Sequence, residues 1–161
     1  MTRTVYEMAY NHPVKEKASV DLVPYSPGFQ AEYKRIYNEC FHEMREALGI
    51  KPFDFIQDDS FFETGMDAVF LLTVNGRLIG SVALRGNEID DLIVAPACQG
   101  MGYGRQILLW ALAHIRSDRI ILHVAAWNRK AVALYQKTGF VITEAMEIPS
   151  ERGGQDPWQE K

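Results

Sequence analysis

Residues 91–105 read DLIVAPACQGMGYGR, and this stretch decides the fold. Leu92, Ile93 and Val94 form an apolar run that Pro96 stops, as a buried strand is stopped. Gly100, Gly102 and Gly104 follow at alternate positions. A helix then begins at once over 103–115, with Ile107, Leu108, Ala111, Leu112 and Ile115 on one face. Alternating glycines let a backbone approach a ligand closely and take conformations closed to other residues. A helix N-terminus exposes unpaired N–H groups and a partial positive charge, so this junction favours phosphate. A tight turn that needs glycine for its own shape is the plainer reading of the same residues.

Two nucleotide signatures fail on position. A dinucleotide fingerprint requires a third glycine where Arg105 stands, and a carboxylate at the end of the next strand, where Ala126, Trp127 and Asn128 stand. A P-loop requires a lysine followed by serine or threonine after its last glycine, and none is present.

Outward from the turn, the pattern is strand and helix by turns. Segments 68–74 and 78–85 read as strands joined by Asn75 and Gly76, the dipeptide of a type I′ hairpin. Segment 87–94 is a third strand and 120–126 a fourth. Segment 128–138 is a helix closed by Gly139, and 140–148 a last strand. Toward the N-terminus, Tyr33, Ile36, Tyr37, Cys40, Phe41, Met44 and Leu48 recur at helical spacing over 29–48, with Gly49 as the stop. Segment 52–65 reads as acidic, aromatic loop with a short helix, and 19–24 as a short strand. Residues 1–17 read as a loosely held arm and 149–161 as a polar tail of one domain, 1–161. The order of elements implies an α/β sheet with helices on both faces.

At Gln99-Gly100-Met101-Gly102-Tyr103-Gly104, preceded by Val94-x-Pro96, the chain resembles the GNAT superfamily of N-acetyltransferases, whose pyrophosphate signature is Q/R-x-x-G-x-G/A. The segment NRKAVALYQKTGF at 128–140 resembles the family's N-x-x-A-x-x-L-Y-x-K-x-G-F at every defined position. A well-capped amphipathic helix explains most of that second segment without any function. It explains Tyr135 less neatly, because seven residues at about 100° bring it within roughly 20° of the side Asn128 occupies.

The resemblance covers about residues 19–148 and carries specific implications. The fold is a mixed, largely antiparallel twisted sheet with a splayed parallel central strand pair and helices on both faces. Acetyl-coenzyme A is the co-substrate, and its acetyl group passes to a primary amine of a small-molecule or peptide acceptor by direct attack. The alternative is a sensor that binds acyl-coenzyme A without turnover. Backbone N–H groups of Gly100, Met101, Gly102, Tyr103 and Gly104, with Gln99 or Arg105 nearby, cradle the pyrophosphate. Asn128 and the Val94 backbone hold the pantetheine arm, and the Leu92 N–H points at the acetyl carbonyl. Tyr135 protonates the departing thiolate. Glu88 lies where histone-type members place their catalytic glutamate. The chain departs from the family at its end. Most members carry one further strand after the equivalent of Glu147, whereas 151–161 here is polar and turn-rich. Either that strand is missing or another segment covers the edge, and a homodimer formed there is the resulting expectation.

Around Glu88 the residues themselves suggest a base. A primary ammonium of pKa about 10.4 must lose a proton before it attacks. Glu88, Asp90 and Asp91 cluster at the start of the central strand, and a two-residue period puts Glu88 and Asp90 on the face of Leu92, with Asp91 opposite. Solvated strand-end carboxylates, or charges that attract a cationic acceptor, are equally good readings. His123 reads as a hydrogen-bonded core histidine, the helix aromatics as core, and Asp58, Asp59 and Glu63 as solvated loop.

Composition bounds the rest. A net charge of −4 supplies no field for nucleic acid and leans toward neutral or cationic partners. Cys40 and Cys98 stand alone, with no metal-ligand spacing, as free thiols of a reducing compartment. The first 17 residues lack the uncharged core of a signal peptide. The longest apolar run, 107–113, falls far short of the roughly 20 residues a bilayer requires. A soluble cytoplasmic protein that takes neither metal nor membrane is the expectation.

Overall fold

In the computed structural model the described residues are 3–13 and 16–148. Seven strands form one sheet: β1 (Thr4–Tyr10), β2 (Val23–Pro24), β3 (Val69–Val74), β4 (Arg77–Arg85), β5 (Glu88–Val94), β6 (Ile120–Ala125) and β7 (Val141–Glu147). Three α-helices accompany them: α1 (Gln30–Leu48), α2 (Tyr103–His114) and α3 (Arg129–Thr138). The spatial order is β2-β3-β4-β5-β6-β1-β7, antiparallel at every junction except β5 with β6. A mixed, largely antiparallel sheet with one parallel central pair is therefore what the chain forms.

Two apolar layers cover it. On one face α1 packs Tyr33, Ile36 and Tyr37 against Val69, Leu71, Ala83 and Ile93. On the other, Ile107, Leu108 and Leu112 of α2 and Tyr135 of α3 share a cluster with Met8, Val82, Ile89 and Leu122. The caps follow local chemistry. Gly49 ends α1 in the left-handed conformation at φ 67°. The Asn128 side chain accepts the Ala131 N–H (3.2 Å) at the start of α3. Among the described residues no helix is long and apolar enough to cross a membrane.

The N-terminus is the main correction. Residues 4–10 are not an arm but β1, antiparallel to β6 on one side and to β7 on the other. Val5, Met8, Ala9 and Tyr10 are buried, Met8 completely. Burial of such side chains contributes roughly 1.5–3 kcal/mol each, which is why this segment docks. The chain's own first strand thus lies between β6 and β7, and β7, mostly exposed, forms the sheet's outer edge. The 19–24 segment shrinks to the two-residue β2. The tail from residue 149 lies outside the described residues.

Candidate active site

The central parallel pair opens as it runs. Only Glu88 with Ile121 and Ile89 with Leu122 are in register, and beyond them β5 and β6 part. A bulge in β5 produces this. Ala83 pairs with Asp90 and Ser81 with Ile93, so three steps along β5 answer two along β4. Asp91 takes the extra turn at φ 47°, a conformation aspartate tolerates better than most residues, and its N–H is held by the Asp90 side chain at 3.0 Å.

The bulge also reverses the expected facing of side chains. Ile89 and Leu92 pack against the same cluster, although a strict two-residue period would separate them. Glu88 and Asp90 therefore face away from Leu92, toward the α1 side. Asp91 faces α1 as well, where it accepts from the Tyr37 hydroxyl at 3.3 Å.

Backbone groups follow the same logic. The Ala95 N–H donates to the Ile79 carbonyl of β4 (2.8 Å), and Ile93 lies opposite Ser81. By alternation Leu92 and Val94 turn their backbone groups toward the gap beside β6. A cavity of about 130 Å³ lies in that gap, lined among others by Asp90, Leu92, His123, Val124, Leu134 and Tyr135, with Phe41 and Met44 closing the α1 side. A larger one of about 310 Å³ lies elsewhere, against Tyr10, His12, Glu16, Arg105 and Lys137. It touches neither Tyr135 nor the parted strands, so the smaller cleft is the candidate site.

The glycine turn adjoins the cleft through Gly104, which lies against Leu134 of its lining. Gly100 (φ 80°) and Gly102 (φ 88°) are left-handed, and Gly102 caps α2 with no side-chain acceptor. The first-turn N–H groups of α2 have no acceptor within the helix, as at any helix start. Gly104 is different. A methyl there would meet Leu134 and Val94 at 3.7 and 3.8 Å, ordinary contact distances, so the fold does not demand glycine at that position. Met101 is 68% exposed, while Tyr103 packs on the core.

Two members of the expected cradle are engaged elsewhere. Arg105 pairs with Glu16 and lines the larger cavity, so it separates from the set. Gln99 donates its amide to the Val94 carbonyl at 3.0 Å. Cys40 donates to the same carbonyl at 3.1 Å, and burial pushes its thiol up to about 12. That leaves the Val94 N–H as its group for a ligand.

Tyr135 and Asn128 both line the cleft, as their seven-residue separation requires. The Tyr135 ring is held edge-on to Phe140 at 5.9 Å. Burial pushes its phenol up to about 12, with the Asp90 carboxylate acting in the same direction. Among the described residues its hydroxyl has no hydrogen-bond partner.

Glu88 does not line the cavity directly. Its carboxylate meets His123 Nδ1 at 2.9 Å, and His123 Nε2 lies 3.5 Å from Glu7 of β1. His123 is thus no ordinary core histidine, since it lines the cleft between two carboxylates. Sequence reasoning missed Glu7 altogether. The signal was present in Thr4, Val5 and Tyr6, strand-favouring residues that the intervening charge concealed.

A parted parallel pair with a bulge, a glycine turn opening a helix and a tyrosine aimed between them agree with the family comparison, which matches the acetyltransferase (GNAT) family over residues 31–140. The chain belongs to that family. A spermidine N(1)-acetyltransferase of Vibrio cholerae is 43% identical over 121 residues, covering 68% of this chain and 58% of its own. The peptidyl-lysine N-acetyltransferase YjaB of Escherichia coli is 31% identical over 84 residues, 51% of this chain and 56% of its own. A mycothiol acetyltransferase of Thermomonospora curvata is 29% identical over 133 residues, 75% of this chain and 44% of its own. The chain thus spans about half the length of the curated relatives it matches. Among solved structures, a GNAT-family protein of Novosphingobium aromaticivorans superposes with a TM-score of 0.68 at 19% identity, covering 91% of this chain and 63% of that one. This last likeness concerns the fold.

Proposed function

We propose that this GNAT family member transfers the acetyl group of acetyl-coenzyme A to a primary amine by direct attack within the parted strands. The observation that carries the reading is the gap itself. Leu92 and Val94 present backbone groups there without strand partners, between the glycine turn and the partnerless Tyr135 hydroxyl. Pantetheine is peptide-like, and an exposed strand edge of this kind pairs with such a chain. The residues fit the co-substrate. Gly100 to Gly104 offer backbone N–H groups and the α2 dipole to the pyrophosphate. The Val94 N–H and Asn128 hold the arm, and the Leu92 N–H meets the oxyanion as it develops. One such donor is worth about 10²–10³ in rate. Tyr135 gives its proton to the departing thiolate.

The acceptor enters from the α1 side. Phe41 lines the cleft there, backed by the buried Tyr37 with ring centroids 4.8 Å apart, and Asp90 and Asp91 place negative charge beside it. Aromatic faces and carboxylates together favour a cation, so we assign a cationic amine as acceptor, with Glu88 as the general base. The named relatives that act on spermidine and peptidyl-lysine support that chemistry.

Calorimetric titration with acetyl-coenzyme A, followed by thiol release on addition of polyamines, lysyl peptides and simple alkylamines, tests the reading. Micromolar binding with release upholds it. Binding without release on any amine would make the chain an acyl-coenzyme A sensor, and no binding would sink the proposal.

A further inference from the structure

Three ionisable side chains lie in a row across three strands on the α1 face. Glu88 of β5 meets His123 Nδ1 of β6 at 2.9 Å, and His123 Nε2 faces Glu7 Oε1 of β1 at 3.5 Å. His123 and Glu7 are register partners in the β1–β6 ladder, so their contact is built into the pairing. The other Glu7 oxygen accepts from the Thr143 hydroxyl of β7 at 2.9 Å and lies 3.7 Å from the Arg119 guanidinium. The three side chains are only 13%, 19% and 21% exposed, for Glu88, His123 and Glu7 respectively. Well-packed apolar residues of similar volume in such a stripe are often as stable or more so, so stability alone does not explain it.

We infer that Glu7, carried in by the N-terminal strand, is a positioning residue that sets the His123 ring and through it the Glu88 carboxylate for taking the acceptor's proton. This rests on the acyl-transfer reading above. Glu7 is anchored on one oxygen by Thr143 and Arg119, which leaves the other to fix the imidazole plane. An imidazole so fixed directs Nδ1 at Glu88 and orients that carboxylate. In the step itself one N–H bond of the acceptor ammonium breaks and, because Glu88 lies behind the cleft lining, the proton passes through one water to Glu88, where an O–H bond forms. The freed lone pair attacks the acetyl carbon, the C–S bond breaks, the thiolate takes the proton of Tyr135, and the second N–H proton, lost as the amide forms, returns to the Tyr135 oxygen. No oxidant or reductant enters. The strand that completes the sheet thereby also completes the base, which ties the acceptor side of the site to the first ten residues.

The test compares Glu7→Gln, Glu7→Asp and His123→Gln with the parent on two acceptors: an alkylamine, charged at assay pH, and an arylamine, already neutral. Only the first requires the base. Glu7→Gln should lower the alkylamine-to-arylamine ratio of kcat about tenfold and His123→Gln about a hundredfold, within the range of general-base effects. Acetyl-coenzyme A affinity should stay within about threefold, and Glu7→Asp, which keeps the charge, should recover much of the ratio. A ratio unchanged in both glutamine variants, or equal losses on both amines, would overturn the inference. If Glu7→Gln does not fold, His123→Gln and Glu7→Asp decide it. A parent chain that releases no thiol with any amine would instead refute the acyl-transfer reading.

Discussion

The two walls of the cleft are made differently. The wall formed by α2 and α3 comes from two short segments, each complete in itself: the glycine turn with its helix, and the capped helix that carries Tyr135. The opposite wall has no such segment. Tyr37 reaches Asp91 across 54 residues, His123 reaches Glu88 across 35, and Glu7 arrives from the far end of the chain. The difference teaches where chemistry is fixed and where it varies. Groups that bind a constant co-substrate can be written into contiguous sequence. Groups that meet the acceptor depend on which strands and helices come together.

The sharpest way to break this contrast is on the first wall. Tyr135→Phe should lower kcat by about 10²–10⁴ while acetyl-coenzyme A binding persists, read by thiol release and calorimetry side by side. Because burial raises the phenol to about 12, the acid stays protonated through the alkaline range. The wild-type rate should therefore climb as the amine deprotonates and show no falling limb from Tyr135 below about pH 10. A falling limb near pH 8 that Tyr135→Phe abolishes would contradict the buried phenol.

On the second wall the largest effect should be on stability. Met8→Ala empties a fully buried site beneath β1 and should cost about 2–5 kcal/mol in denaturant unfolding. A cost near zero would return residues 4–10 to the loosely held arm that the sequence suggested. Tyr37→Phe removes the hydroxyl on Asp91 and should cost about 0.5–1.5 kcal/mol, with a rise in acceptor KM and none in that for acetyl-coenzyme A. The smallest effect should be a gain. Gly104→Ala meets no clash and improves helix propensity, so unfolding should become harder by up to about 1 kcal/mol. A loss there would show that the turn needs its third glycine for its own shape.

Much of the first wall was legible because its physics is local. Left-handed glycines, a strand stopped by Pro96, an asparagine cap and a seven-residue spacing act within a few residues of themselves. The hairpin at Asn75 and Gly76 was legible for the same reason, and the strands formed where alternation placed them. The bulge was not legible. Nothing in Asp90-Asp91-Leu92 announces an extra residue until β4 and β6 compete for the same strand, and that competition turned Glu88 and Asp90 to the other face. Nor was β1 legible. Glu7 interrupts its apolar run and is accommodated only because His123, Thr143 and Arg119 meet it from neighbouring strands. The sequence by itself determined the glycine turn and the capped helix of Tyr135, since turn and cap energies are short-range. Only the tertiary structure decided the opposite wall, because strand order and register are set by burial of side chains far apart in the chain.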